Sequence, residues 1–172
     1  YTALHEAGLD RSELHGSLVG VFLGFAGTDF SKMLTQMPAG SSVYAATGST
    51  ASVACGRLSY ALGLHGPCVS YDTACSAALA ACHGALRALQ LRECDIGTVL
   101  GVNLMLAPGN DLVFATAGMT SPTGRSHTFD ARADGYARGE ACGSCALRSH
   151  LLHVSVSLNG SALRQDGRSA SL

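Results

Sequence analysis

In the segment 66–91, GPCVSYDTACSAALAACHGALRALQL, a cysteine stands where an extended run gives way to helix-forming residues. Val69 and Tyr71 favour a strand after the Gly66-Pro67 breaker. Asp72 and Thr73 favour turns and helix starts, because their side chains bond free backbone N–H groups. From Ala74 onward alanine and leucine dominate and no proline follows until Pro108, a composition that favours helix. The helix therefore opens at or next to Cys75. Unpaired N–H groups and the helix dipole at such a point favour the thiolate, the form of cysteine that attacks a carbonyl carbon. An unperturbed thiol is only ~3% thiolate at pH 7. A helix N-terminus contributes roughly 0.3–1 kcal/mol, up to ~2 when partly buried, which brings the thiolate to about 20–30%. Burial acts the other way, so a base or an imidazolium is still needed. The same pattern also fits a small buried hydrophobe, the ordinary fate of a free cysteine.

None of the nearby titratable residues supplies that base by spacing. His83 lies on the same helix, about 12 Å along its axis from Cys75, too far for a hydrogen bond. It is expected as a packed or capped core histidine. His65 is a loop residue, and His127 and His153 are expected at the surface. Asp130, Asp134, Arg138 and Glu140, in DARADGYARGE, fit a loop pinned by salt bridges and turn bonds better than a catalytic set. Cys142 and Cys145 form a C-x-x-C, but an odd spacing on a strand sends two side chains to opposite faces. No second pair with zinc-ligand spacing exists, so neither a metal nor a redox centre is expected.

GPCVSYDTACSAAL resembles the active-site segment of the β-ketoacyl synthase (ketosynthase) domains of polyketide synthases and type I fatty acid synthases. GSLVGVFLGF, ATGSTASVACGRLSYALGL, ECDIGTVLGVNLML, AGMTSPTGRSHTFDARADGYARGEACG and GSALRQDGRSASL fit the same family, in its order. The resemblance covers essentially all of residues 1–172 and implies a partial domain, with the N- and C-terminal parts of the full domain outside it. DTACS with GVNLML and DGYARGE is closer to the modular or iterative polyketide type.

The resemblance implies a thiolase-like α/β fold, with this chain forming mainly its N-terminal half and the crossover. It implies that Cys75 accepts an acyl chain from a thioester, with its backbone N–H in the oxyanion hole. A malonyl or methylmalonyl thioester on an acyl carrier protein then loses carbon dioxide, and its enolate attacks the acyl group. No cofactor is bound directly; phosphopantetheine is carried by the partner. The family is dimeric through the strand around Cys68 to Tyr71. Two departures stand out: Arg164 replaces the usual asparagine, and residues 149–152 shorten a run that is usually longer. Other readings are a non-catalytic scaffold of the chain-length-factor type, although such relatives typically replace the cysteine, or another thiolase-fold acyltransferase.

Several elements must position Cys75. Residues 1–9 read as the end of an amphipathic helix, and residues 18–25 as a strand buried on both faces. Thr28 or Asp29 caps a short helix, residues 38–42 form a loop, and residues 50–62 form a helix closed by Gly63. The helix after Cys75 is apolar all round, which predicts burial on every side. Residues 96–106 read as a strand, 111–117 as a helix closed by Gly118, 120–138 as a long polar loop, and 140–147 as a strand. Residues 152–158 alternate as a half-buried strand. Strands alternating with helices predict a buried, largely parallel sheet.

Bulk properties exclude some classes. Apolar residues make up 47% and charged residues 13%, with a formal net charge of −1. Nothing electrostatic favours nucleic acid or anionic membrane, and no run reaches the ~20 apolar residues of a membrane span. Seven scattered cysteines fit reduced thiols in an intracellular protein better than a secreted disulfide framework.

The family's two further histidines, in HGTGT-like and GH motifs, do not occur in this sequence. The polypeptide by itself is therefore expected not to catalyse condensation. Incubated with malonyl-loaded carrier protein it should release no carbon dioxide, and robust release would overturn the expectation.

Overall fold

The computed structural model describes residues 1–27, 29–149 and 156–168. The elements in order are α1 (Thr2–Glu6), α2 (Arg11–Leu14), β1 (Val19–Phe25), α3 (Asp29–Thr35), α4 (Ala45–Ser49), α5 (Ala51–Leu62), β2 (Cys68–Tyr71), α6 (Ala77–Gln90), β3 (Ile96–Asn103), α7 (Gly109–Thr116) and β4 (Ala141–Arg148), with 3₁₀ turns at Pro38–Ser41 and Ala74–Ser76. The strands form one sheet in the order β2-β1-β3-β4. β1 pairs parallel to β2 and β3, and β4 closes the sheet antiparallel to β3. A largely parallel α/β arrangement is what the alternation predicted.

β1 is buried along nearly its whole length and sorts its residues to two cores. Val19, Val21 and Leu23 meet Leu4, Leu14, Cys55 and Leu64 on the face covered by α1, α2 and α5. Phe22 points the other way, to Ala81, Ala85, Ala88 and Val99 beneath α6. The period-two alternation of a strand thus builds a three-layer α/β/α stack. α5 ends as expected, with Gly63 in the left-handed conformation (φ 68°) and its N–H bonded to the last turn. α2 carries a capping box between Asp10 and Glu13 that the sequence reading overlooked.

The close seating of α6 on the sheet follows from residues without side chains. A Cβ built on Gly24 would collide with the backbone of Ala77, and one on Gly101 would lie 2.9 Å from the Ala78 methyl. On Gly97 it would lie 3.0 Å from the Ala85 methyl. Glycine on the strands and alanine on the helix together bring the start of α6 onto β1 and β3.

Three expectations need correction. α6 is buried on one face only, through Ala77, Ala80, Ala81, Ala85, Ala88 and Leu89, while Leu79 is 73% exposed. Apolar composition cannot distinguish a helix surrounded by protein from one covered on one side. β3 ends at Asn103 rather than residue 106, because residues 106 and 107 turn to donate to Asp29. The loop at 38–42 contains a 3₁₀ turn started by Pro38, whose fixed φ suits it, and α4 was not anticipated. The alternating segment 152–158 lies mostly outside the described residues, and 156–158 form no strand.

Replacing Gly24 by valine should lower stability by about 1–3 kcal/mol through overpacking against Ala77. A chemical denaturation midpoint unchanged from wild type would show that α6 can retreat without cost.

Candidate active site at the start of α6

The β2–α6 junction is a tight, locally bonded turn. Asp72 Oδ1 accepts the Ala74 N–H at 3.1 Å, as an Asx turn does. Ser76 Oγ donates to the Thr73 carbonyl at 2.9 Å and lies 2.9 Å from the Thr73 hydroxyl. Thr73 therefore bonds a side chain, whereas Asp72 bonds the backbone in the expected way. Ala74 adopts φ 54°, a left-handed conformation that costs a residue with a Cβ roughly 1–2 kcal/mol. That kink turns the chain out of the strand and places Cys75 in the 3₁₀ turn, two residues before α6.

Cys75 is exposed, so the buried-hydrophobe alternative fails. Among the described residues no backbone or side-chain acceptor meets its N–H. Its side chain opens onto a cavity of about 730 Å³, within the usual range for ligand pockets. Gly24 and Gly101 form part of the floor, and Asn110, Phe114, Met119 and Tyr136 form the far wall.

That wall is fixed by polar contacts spaced far apart in the chain. Asp29, 5% exposed, accepts from the Leu106 and Ala107 N–H groups at 3.2 and 3.3 Å and from Asn110 Nδ2 at 2.5 Å. Lys32 Nζ donates to Asn110 Oδ1 at 3.0 Å, so both ends of this amide are held. Arg138, whose side chain is only 13% exposed, pairs with Asp111 and lies 5.1 Å from the centroid of the Phe114 ring. Glu140 Oε1 accepts the Met105 N–H at 2.7 Å, and Asn103 Nδ2 donates to the Gly139 carbonyl at 2.5 Å. Residues 120 and 136 bridge in parallel, which pulls the long loop over the cavity.

The structure separates the expected acidic cluster. Asp130 binds Arg132 in bidentate fashion, and this guanidinium holds the Asp130 carboxyl below the usual carboxylate range. Arg138 reaches α7 and Glu140 the segment just after β3, and Asp134 is exposed with no ion-pair partner among the described residues. These are pinning contacts, as expected; Asp130–Arg132 is local to the loop, whereas those of Arg138 and Glu140 run outward.

His83 does not approach Cys75: its Nδ1 lies 2.8 Å from Ser161 Oγ, and Arg87 Nη2 donates to the Ser161 carbonyl at 3.2 Å. Ser161 is thus held against α6. Arg164 Nη1 bonds the neighbouring Leu163 carbonyl. His65 is exposed in the loop before β2, His127 is half-buried rather than exposed, and His153 falls outside the described residues. Cys142 and Cys145 pair with Val102 and Val99 of β3 and so occupy opposite faces of β4. No cluster able to hold a metal occurs among the described residues. A second cleft of about 1000 Å³ lies at the far end of α6, near Leu86, Arg92 and Arg148, remote from Cys75.

Residues 1–153 match the family described as β-ketoacyl synthase, N-terminal domain. The chain belongs to this family. The ketosynthase likeness extends to solved structures, which show the thiolase-like fold. The ketosynthase from module 6 of the bacillaene synthase of Bacillus subtilis superposes with a TM-score of 0.76 at 34% identity, covering 86% of this chain and 25% of that one. An oxazolomycin ketosynthase domain from Streptomyces albus gives 0.70 at 30% identity, covering 82% of this chain and 25% of that one. Among curated relatives, a polyketide synthase–nonribosomal peptide synthetase of Pyricularia oryzae is 40% identical over 98% of this chain and 4% of its own length. A phenolphthiocerol/phthiocerol polyketide synthase of Mycobacterium tuberculosis is 39% identical over 98% of this chain and 11% of its own. The chain thus spans about a tenth or less of these curated relatives.

Sequence reasoning missed Asp29 as a buried anchor and Asn110 and Phe114 as cavity walls. Only the acidic character of Asp29 at a helix start hinted at its role. Its partners are distant in sequence, and local patterning does not reveal them.

Asp29→Ala should leave the Asn110 amide and two loop N–H groups short of an acceptor, at a cost of about 1–3 kcal/mol. Thermal unfolding checks this, and an unchanged midpoint would mean that water replaces the carboxylate.

Proposed function

We propose that this chain provides the acyl-accepting part of a polyketide-type ketosynthase, with Cys75 as nucleophile. The observation that carries the reading is the exposed Cys75 thiol, held at the kinked entry to α6 and facing a 730 Å³ cavity. The thiolate attacks the carbonyl carbon of an acyl thioester. The tetrahedral oxyanion is met by the free backbone N–H of Cys75, since the Ala74 and Ser76 N–H groups are already bonded to Asp72 and Thr73. Collapse expels the donor thiol and leaves the acyl group on Cys75. Mostly apolar residues line the cavity beside the thiol, and the Phe114–Met119 side accommodates the chain.

In the complete reaction a malonyl or methylmalonyl thioester loses carbon dioxide. Its enolate carbon then attacks the acyl carbonyl and Cys75 thiolate leaves, lengthening the chain by two carbons. The partner is an acyl carrier protein, whose phosphopantetheine arm carries the thioester, so no cofactor is held by these residues. None of the described histidines reaches Cys75, so the groups that stabilise the enolate come from elsewhere. We place the protein inside the cell, where its cysteines remain thiols. No described helix is long and apolar enough to cross a membrane.

We also read β2 as the dimer-forming strand. It is an edge of the sheet, with Cys68 and Val69 exposed, and an unpaired edge is a template for a second copy. The non-catalytic scaffold reading gains nothing from these residues, since it has no use for an exposed thiol at a cavity.

The test is acylation by a simple acyl thioester, read by mass spectrometry of the intact chain and its peptides. One acyl group should map to the Cys75 peptide and vanish in Cys75→Ala. Labelling on another cysteine, or none in the wild type, would refute the assignment.

A further inference from the structure

The mechanism leaves six thiols unused, and two of them meet between α5 and β2. The register of these elements brings them together. Ser70 Oγ of β2 donates to the Ala51 carbonyl at the start of α5, at 2.7 Å. α5 and β2 then run in opposite directions. One helical turn on from Ala51 is Cys55, and two residues back from Ser70 is Cys68. These steps are each about 6 Å, so the side chains come opposite one another. Cys68 pairs with Val21 and Ser70 with Leu23, which places both on the α5 face of the sheet. Cys55 is 2% exposed in that core, and this register brings the Cys68 side chain toward it and toward Ser59, one helical turn on. Ser59 Oγ is itself buried without a protein acceptor or donor within bonding distance.

We propose that Cys55 and Cys68 form a reversible dithiol–disulfide site that takes hydrogen peroxide as its oxidant, independently of any chemistry at Cys75. Cys68, the exposed member, attacks peroxide as the thiolate; the O–O bond breaks, water leaves after protonation, and the sulfur becomes a sulfenic acid. Cys55 then attacks that sulfur as its thiolate, the S–O bond breaks, and a second water leaves. Two thiols lose two electrons and two protons to one peroxide, and a thiol reductant restores them. Burial raises the Cys68 thiol above its usual range, and the neighbouring Cys55 adds to this, while the Ser59 hydroxyl acts against it. The site should therefore react slowly, without competing with an activated thiolate. Strand pairing at the β2 edge uses backbone groups, whereas the Cys68 side chain stands perpendicular to the sheet, so a dimer leaves the α5–β2 seam in place.

The disulfide would tie α5 to the strand that leads into the Cys75 turn, removing play at its base. The experiment is peroxide treatment of the chain, blocking of remaining thiols under denaturing conditions, and peptide mapping with and without reductant. The expected product joins the Cys55 and Cys68 peptides within one chain, lighter by two hydrogens, with both cysteines lost together from the alkylatable pool. Cys68→Ser should leave Cys55 fully alkylatable, and Cys55→Ala should stop Cys68 at sulfenic acid, trapped by a dimedone-type reagent. A bond between Cys68 residues of two chains, closure of Cys82 with Cys145 instead, or Cys55 left free after peroxide would each overturn the proposal.

Discussion

Helix α6 rests on the sheet at backbone distance because strand glycines meet helix alanines. Gly24, Gly97 and Gly101 present no side chain where Ala77, Ala78 and Ala85 come down. Ordinary side chains would force helix and sheet toward the ~10 Å spacing typical of packed layers. Here the first turn of α6 sits on β1 and β3 directly, and the Cys75 turn inherits that position. The cavity floor consists of the same glycines. Close packing and an open site are thus two results of one choice of small residues.

The rest of the site is arranged around that fixed point. The left-handed Ala74 and the Asp72 acceptor turn the chain sharply, so that Cys75 leaves the strand facing outward. Opposite it, Asp29 gathers donors from a loop 77 residues or more away in sequence. Arg138 closes a further wall by pairing with Asp111 beside Phe114. The cavity is mostly apolar, and the polar groups at its boundary are bonded to one another, so they serve geometry.

Much of the layer order was legible in advance. The continuous apolar run of residues 18–25 read as a buried strand because β1 is covered on both faces, and Gly63 and Gly118 stopped their helices as glycine does in the left-handed region. Three-dimensional partners were less legible. The DARADGYARGE loop read as pinned by salt bridges and turn bonds, but the sequence did not say to what: Arg138 bonds Asp111 of α7 and Glu140 the Met105 N–H just after β3. The α6 helix looked buried all round, yet Leu79 faces out. Periodicity records which residues are apolar; it does not record how many neighbours arrive to cover them.

The sequence by itself determined that a cysteine lies at a strand-to-helix turn, that the sheet is largely parallel, and that the chain resembles ketosynthases. These follow from local rules: β-branched and aromatic residues before a turn, alanine after it, and motifs of fixed order. Only the tertiary structure decided that Cys75 faces a cavity, that Asp29 anchors its wall, and that Cys55 and Cys68 are neighbours. Each depends on contacts between segments brought together by sheet pairing, and the free energy of such contacts is not encoded in any single window of the chain.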